Sequence, residues 1–231
     1  MEAIKQFAAD FAPLFSWITA KGLISGIGTL VATFLGAFFA FQFAKVQRER
    51  ERTDKEIAAG NRALYILTTI FDQTYQHQEE IVASKRGKPD AWLNLAAASP
   101  LSENIGFDLT DLSFVLQSEP AVFAQVLLEE QRFRLLAHMI GDHRSLVLDL
   151  VWPKMEAIGM KMGGPPRAMD ELKEALGPGL VRRLEVASAG IIKNTDENVE
   201  SIKVAFAALR TSLRKLYPGR VFLDFKFKES K

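Results

Sequence analysis

An uncharged run at residues 22–44, GLISGIGTLVATFLGAFFAFQFA, constrains the fold of this chain more than any other feature. As an α-helix it would extend roughly 34 Å, which matches a bilayer hydrocarbon core of roughly 30 Å. The alternative, a buried helix of a soluble protein, rarely runs this long without a charge. A cleaved signal peptide is disfavoured because no strongly basic leader precedes the run and no small-x-small site ends it. The run therefore predicts a retained transmembrane helix.

The basic residues around this run predict its orientation. Only Lys5 and Lys21 precede it, whereas lysines and arginines concentrate after residue 44. Because translocation of a basic flank is unfavourable, we expect a single-pass protein of a membrane such as the bacterial inner membrane. Its N-terminus would lie outside and its C-terminal part in the cytoplasm. The predicted contacts to lipid headgroups are Trp17, Lys45, Arg48 and Arg52.

Small residues recur at every fourth position of the run and would share one helix face. This small-residue face consists of Gly28, Ala32, Gly36, Ala40 and Ala44. Lipid gives helices no hydrophobic reason to pair, so close backbone approach through small side chains is one of the few drives available. The pattern predicts a homo-oligomer assembled through this face. The alternative is that glycine and alanine are simply common in membrane helices.

The first residues, 1–21, carry apolar side chains at near-helical spacing that Pro13 interrupts. This pattern predicts a short amphipathic helix lying at the outer membrane interface. A loose extracytoplasmic tail is the alternative interpretation.

Residues 45–217 show helical periodicity almost throughout, and we expect a cytoplasmic bundle of three long helices. The first continues the apolar run to about residue 84 and ends at SKRGKPD. The second begins after Pro120 and is kinked or ended at Pro153. The third follows an apolar seam at residues 180–216 and ends at YPG. Shorter helices are predicted within residues 90–98, at DLTDLSFVLQ and at DELKEAL. The predicted fold class is all-α, a single-pass transmembrane helix followed by an antiparallel helical bundle.

The tail at residues 218–231 contains RVFLDFKF, in which apolar residues alternate with others. This alternation predicts a short C-terminal β-strand. A strand needs a partner, and the candidates are ENIGFDL at residues 103–109 and another subunit. Docking on the bundle without any sheet is the third possibility.

Composition and motifs exclude several chemistries. The formal net charge of +1 gives no global basic field, so no nucleic acid is expected as a partner. The chain has no cysteine, which excludes disulfides, thiolate metal sites and a cysteine nucleophile. It has no phosphate-binding glycine loop, no GxSxG and no HExxH, and no cofactor is expected.

Two groups of charged residues remain as candidate sites. Glu130, Arg134, His138 and Asp142 follow each other at four-residue steps, and His138 and Asp142 could in principle share a metal ion. Such spacing is more often a solvated, salt-bridged helix face. On the third helix, basic residues that include Arg182 and Arg183 could attract phosphate, although a solvated face is again the more common meaning.

The sequence names no reaction, and three functional classes stay open. The first is a membrane-anchored, non-enzymatic interaction or sensor module whose membrane helices associate and whose bundle receives a protein partner or a ligand. The second is a membrane-perturbing effector of the defence or toxin type. The third is an enzyme that uses the row of Glu130, His138 and Asp142.

Overall fold

The computed structural model describes residues 20–95, 101–102, 104–160 and 169–227, without the side chains of residues 20–32 and Asn94. The chain divides into two compact units, Met1–Lys55 and Glu56–Lys231. The amphipathic segment predicted for residues 1–21, apart from its last two residues, lies outside the described residues.

Helices make up nearly all of the described regular structure, so the all-α prediction is confirmed. Two π-helical turns, π1 and π2, continue α1 into α2 and α5 into α6. The elements are α1 (Ala20–Gln76), π1 (His77–Val82), α2 (Ala83–Lys85), α3 (Ala91–Asn94), α4 (Ser113–Ser118), α5 (Pro120–Leu146), π2 (Val147–Val151), α6 (Trp152–Ala157), α7 (Met169–Leu176) and α8 (Pro178–Leu216).

The helix ends follow the local chemistry that the sequence predicts. The first long helix stops at SKRGKPD, where Gly87 has φ of +74°, a conformation that other residues rarely adopt. Gly177, at φ +81°, separates α7 from α8, and Pro178 then occupies the first turn of α8. Pro153 does not end its helix. Because proline removes an N–H and crowds the carbonyl four residues earlier, the chain widens into π2 just before it.

The bundle unit is built around α8, and contacts along it show antiparallel packing. Three contacts follow each other from Glu119, the residue before α5, towards the end of α5. Glu119 pairs with Lys215, Glu129 accepts a hydrogen bond from Ser201, and His143 contacts Ser188. Residue numbers rise on α5 as they fall on α8, so the two helices are antiparallel. The part of α1 in this unit is antiparallel to α8 as well, since Gly60 lies against Leu213 and Gln78 bonds Asp196.

The largest hydrophobic core joins the bundle part of α1 to α4, α5 and α8. Leu64, Leu67 and Ile70 of α1 are fully buried, and Phe133 of α5 and Leu209 of α8 are among the side chains packed with them. A second core lies where α3, π2, α6, α7 and the start of α8 meet. Its members are Trp92, Val147, Val151, Met155, Leu172, Leu176, Val181 and Leu184. The helical bundle predicted from the periodicity is therefore confirmed.

The transmembrane helix predicted at residues 22–44 is a wrong prediction. No helix within the described residues is both long enough and apolar enough to cross a membrane. The run ends at Ala44. Lys45 and the charged half of α1 follow directly. The single-pass topology, with an outer N-terminus and a cytoplasmic bundle in an inner membrane, is wrong on the same finding.

The short C-terminal strand is also a wrong prediction, since the described residues contain no strand. Residues 220–227 run extended over the bundle. They are held there by packing of their side chains and by a helix side chain, not by backbone pairing with a second strand. Phe222 is buried, and the Phe227 ring meets the Phe71 ring edge-on at 4.7 Å. The Leu223 N–H donates to Asn61 Oδ1 at 2.8 Å, so a helix side chain takes a bond that a sheet would have used.

Candidate functional site

The first half of α1 exposes large apolar side chains that no described element covers. Phe34, Phe41 and Phe43 are 71%, 68% and 72% exposed. We define the exposed apolar segment as residues 33–46. Its large exposed members are Phe34, Leu35, Phe38, Phe39, Phe41, Phe43 and Val46.

The small-residue face predicted from the sequence lies on this same segment. Gly36, Ala40 and Ala44 are exposed, whereas Gly28 and Ala32 belong to α1 but have no described side chains. At about 100° per residue, the three small residues occupy an arc of about 80°, and the large apolar residues occupy the rest of the circumference. A Cβ atom added at Gly36 would meet nothing within 4 Å. Within the described chain, no neighbour requires glycine at this position.

The residues predicted to contact lipid headgroups fall into two groups. Trp17 lies outside the described residues. Lys45, Arg48 and Arg52 are exposed on α1, at the start of its charged half. The headgroup contacts predicted for them depended on the transmembrane helix, which the structure does not support.

The polar row on α5 is divided between two local roles. Glu130 pairs with Arg134, and its Oε2 accepts the Phe107 N–H at 3.0 Å, which fastens the segment before α4 to α5. His138 Nε2 and Asp142 Oδ2 lie 3.3 Å apart and both side chains are largely exposed. Among the residues described, no group of three or more His, Cys, Asp or Glu could hold a metal ion. The row therefore consists of two separate side-chain pairs, Glu130 with Arg134 and His138 with Asp142. Among the described residues, no third metal ligand joins His138 and Asp142.

His143 is buried in a polar cluster that the sequence reasoning missed. Its Nε2 lies 2.8 Å from the Trp92 carbonyl oxygen and 3.0 Å from Ser188 Oγ, and Ser188 Oγ also donates to that carbonyl. In the tautomer protonated at Nε2, the imidazole donates to the carbonyl. Burial lowers the pKa of His143 because the charged ring would lose its hydration, which outweighs the bond to Trp92. The sequence does contain a signal for this burial. His143 follows Ile140 by three residues and precedes Val147 by four, which is the spacing of one apolar helix face.

Glu129 is a second buried polar side chain at the α5–α8 contact. Arg132 donates to it at 3.0 Å and Ser201 at 2.6 Å. Burial nevertheless raises the pKa of Glu129, because desolvation outweighs these bonds and the charge of Arg132. The cluster ties two helices together, and no cavity opens beside it among those described.

A cavity of about 460 Å³ lies between α5 and the first turns of α8. Its volume is in the range of small-molecule sites. The residues that line it are Met139, Asp142, His143, Leu146, Gly179, Arg182, Arg183, Val186 and Ala187.

Comparison with known proteins adds no family to these observations: no family model, curated protein or solved structure matches the chain. The candidate sites are therefore judged from their own geometry.

Proposed function

We propose that this chain is a non-enzymatic helical interaction module that assembles with further copies of itself through the exposed apolar segment of α1. The observation that carries the proposal is the largely apolar, uncharged surface of residues 33–44, in which Thr33 and Gln42 are the polar side chains and the phenylalanines are up to 72% exposed. A helix that is hydrophobic on every side is normally covered by other elements. Burying one exposed phenylalanine contributes about 1.5–3 kcal/mol, so covering this segment is strongly favoured.

Another copy of the chain is the occupant that the geometry favours. In a symmetric pair of parallel helices the same positions face each other, so the residues at the contact must tolerate their own copies. Gly36, Ala40 and Ala44 meet that condition, because small side chains allow two backbones to approach closely. No described neighbour within the chain requires glycine at position 36, and the absence of a side chain there would allow a second copy to approach closely. Further copies would cover the large residues on the remaining arc.

Sedimentation velocity on the purified full-length chain, over a wide range of concentration, tests this proposal. The wild-type chain should sediment as an assembly that dissociates on dilution. Gly36→Ile places a branched side chain at the closest approach and should raise the dissociation constant by about tenfold or more, because each 1.4 kcal/mol of lost contact is a factor of ten.

Gly141→Ile is the matched control for this experiment. Gly141 is also a helical glycine with nothing within 4 Å of an added Cβ, but it lies on α5 in the bundle unit. It should assemble as the wild type does, with circular dichroism confirming the fold of both variants. A wild-type chain that stays monomeric at every concentration would overturn the proposal, as would unchanged assembly of Gly36→Ile.

A further inference from the structure

The cavity between α5 and α8 is lined by apolar side chains and two arginines. The proposed self-assembly through α1 does not involve these residues. All of its lining residues belong to the bundle unit. Met139 and Leu146 come from α5, and Val186 and Ala187 come from α8. Val186 is 65% exposed, an unusual position for a valine that faces a concave surface. The wall therefore offers apolar area that a small ligand would cover.

Arg182 and Arg183 differ from several other arginines of the bundle unit in having no carboxylate partner among the described residues. Arg62, Arg86 and Arg210 each pair with an aspartate at 2.7–2.8 Å. Neither Arg182 nor Arg183 has an ion-pair partner within 4.0 Å among the described residues. Both side chains line the same cavity, so a bound anion there could pair with either guanidinium group.

The other polar residues at the cavity do not compete for these arginines. Asp142 lies at the rim, and its Oδ2 is 3.3 Å from His138 Nε2. His143 forms part of the lining, and its Nε2 faces the Trp92 carbonyl oxygen and Ser188. Because burial lowers the pKa of His143, its ring is neutral at pH 7 and adds no charge beneath the ligand. The charged side chains that line the cavity are therefore two arginines on α8 and one aspartate, Asp142, on α5.

We propose that this cavity binds an amphipathic anion, whose carboxylate or phosphate group pairs with Arg182 and Arg183 while its apolar chain lies against Met139, Leu146 and Val186. The planar, five-donor guanidinium binds both head groups through paired hydrogen bonds. The volume of about 460 Å³ lies within the range of small-molecule sites, so a medium-chain amphipathic anion such as decanoate is a suitable probe. The interaction module would then also be a receptor for a small ligand.

Isothermal titration of the full-length chain with decanoate, below its micelle concentration, tests the proposal directly. Acetate supplies the same head group without the chain, and decanol supplies the chain without the charge. Decanoate should bind more tightly than either by about tenfold or more, since each lacks one of the two contacts. Decyl phosphate separates the two possible head groups: the tighter of the two anions identifies the natural one. Binding of decanol as tight as that of decanoate, or no binding of either anion, would overturn the proposal.

Charge removal at the rim gives the first pair of variants. The double variant Arg182→Gln, Arg183→Gln should weaken decanoate binding by about tenfold or more, because the head group loses its charge-assisted hydrogen bonds. Arg214→Gln is the matched control, since Arg214 is another exposed arginine of α8 without an ion-pair partner among the described residues and lies outside the cavity. Equal affinity of the double variant and the control would contradict the assignment.

Filling the cavity gives an independent test that leaves both arginines in place. Gly179 lines the cavity, its φ is not positive, and an added Cβ would meet nothing within 4 Å. Gly179→Phe should place its ring in the space of the ligand chain and abolish decanoate binding, whereas Gly141→Phe should not. Retention of binding by a folded Gly179→Phe protein would overturn the proposal. If that variant fails to fold, the arginine variants decide the question, and Gly36→Ile should leave decanoate affinity unchanged because it acts on assembly alone.

Discussion

Two stretches of the same helix, α1, have similar apolar content and opposite environments. At residues 33–46 the phenylalanines are about half to three-quarters exposed. At residues 59–71, Leu64, Leu67 and Ile70 have no exposed surface, and Phe71 has almost none. Both stretches are helical, and both lie within α1, away from its ends. Apolar composition alone therefore does not reveal whether a helix will contribute to a core or present a surface for association.

The difference arises from how the apolar residues are spaced around each stretch. In the bundle part of α1 they recur at three- and four-residue steps, and polar residues such as Arg62 and Thr69 lie between them. One face can then be buried against α8 while the other is hydrated. In the exposed apolar segment they surround the helix, so no single neighbouring helix of the chain could cover them. We interpret the first pattern as a contribution to folding and the second as a contribution to assembly.

The largest expected effect distinguishes a core phenylalanine from an exposed one. The Phe71 ring stacks on Tyr75 at 5.5 Å and meets Phe227 at 4.7 Å. Phe71→Ala should lower the free energy of unfolding by about 3–5 kcal/mol, because the cavity it leaves adds to the lost burial. In the dissociated chain, at concentrations too low for assembly, Phe38→Ala should change it by less than about 0.5 kcal/mol. Urea denaturation followed by circular dichroism measures both, and comparable losses would show that residues 33–46 are packed in the folded monomer.

Glycines of the two stretches provide a second, smaller contrast. A Cβ added at Gly60 would lie 2.7 Å and 2.9 Å from the two methyl carbons of Leu213, a side chain with no exposed surface in which to move. Gly60→Ala should therefore cost about 1–3 kcal/mol by overpacking, despite the better helix propensity of alanine. Gly36→Ala has open space and should raise helix stability by up to about 1 kcal/mol. Thermal unfolding of both variants measures these changes, and a stabilising Gly60→Ala would mean that α1 and α8 are less closely packed than described.

The dependence of stability on pH should belong to the bundle stretch and its neighbours. Burial lowers the pKa of both His77 and His143 below the ordinary value of about 6.5. The unfolded chain therefore binds protons before the folded chain does, so the free energy of unfolding should fall as the pH drops below about 6.5 towards the folded-state pKa values. Denaturation at successive pH values from 7.5 downwards measures this fall.

Two variants isolate the histidine contribution from other titrating groups. Burial raises the pKa of Glu129, which stabilises the folded state as it gains a proton and opposes the histidine effect at the acidic end. His143→Gln removes the titration and keeps a donor for the Trp92 carbonyl, so it should flatten the fall in stability. His138→Gln serves as the exposed control. An identical pH profile for His143→Gln and the wild type would show that the imidazole is not desolvated.

The sequence located the helices well because local chemistry decides where they begin and end. Pro120, Pro178 and Gly177 mark these positions by their backbone geometry alone. The three- and four-residue spacing of apolar residues from Leu184 to Leu213 predicts the long helix α8. The positions that it missed depend on packing. Ser188 is a polar residue and yet is buried on α8, where its hydroxyl donates to the Trp92 carbonyl oxygen. The tail alternates apolar and other residues, yet its described part, to residue 227, forms no strand. Side chains of the helices, such as Asn61, contact it instead.

Gly60 shows most clearly where local reasoning stops. On helix propensity alone it is a weak point of α1 that costs about 1 kcal/mol against alanine. In the structure it is the position where α8 comes closest, and Leu213 occupies the space of the missing side chain. The candidate ligand site has the same character: Arg182 and Arg183 are ordinary surface arginines until Met139 and Leu146 of another helix complete a cavity beside them.

By itself, the sequence determined the all-helical class, the ends of the long helices and the two kinds of apolar surface on α1. These depend on spacing, proline and glycine, whose effects act within a few residues of chain. Only the tertiary structure decided that His143 is buried beside Ser188, that Gly60 admits a neighbouring helix, and that two arginines lie at the rim of a cavity. Those features join residues more than 35 positions apart in the sequence, and their energies depend on distances that no local pattern sets.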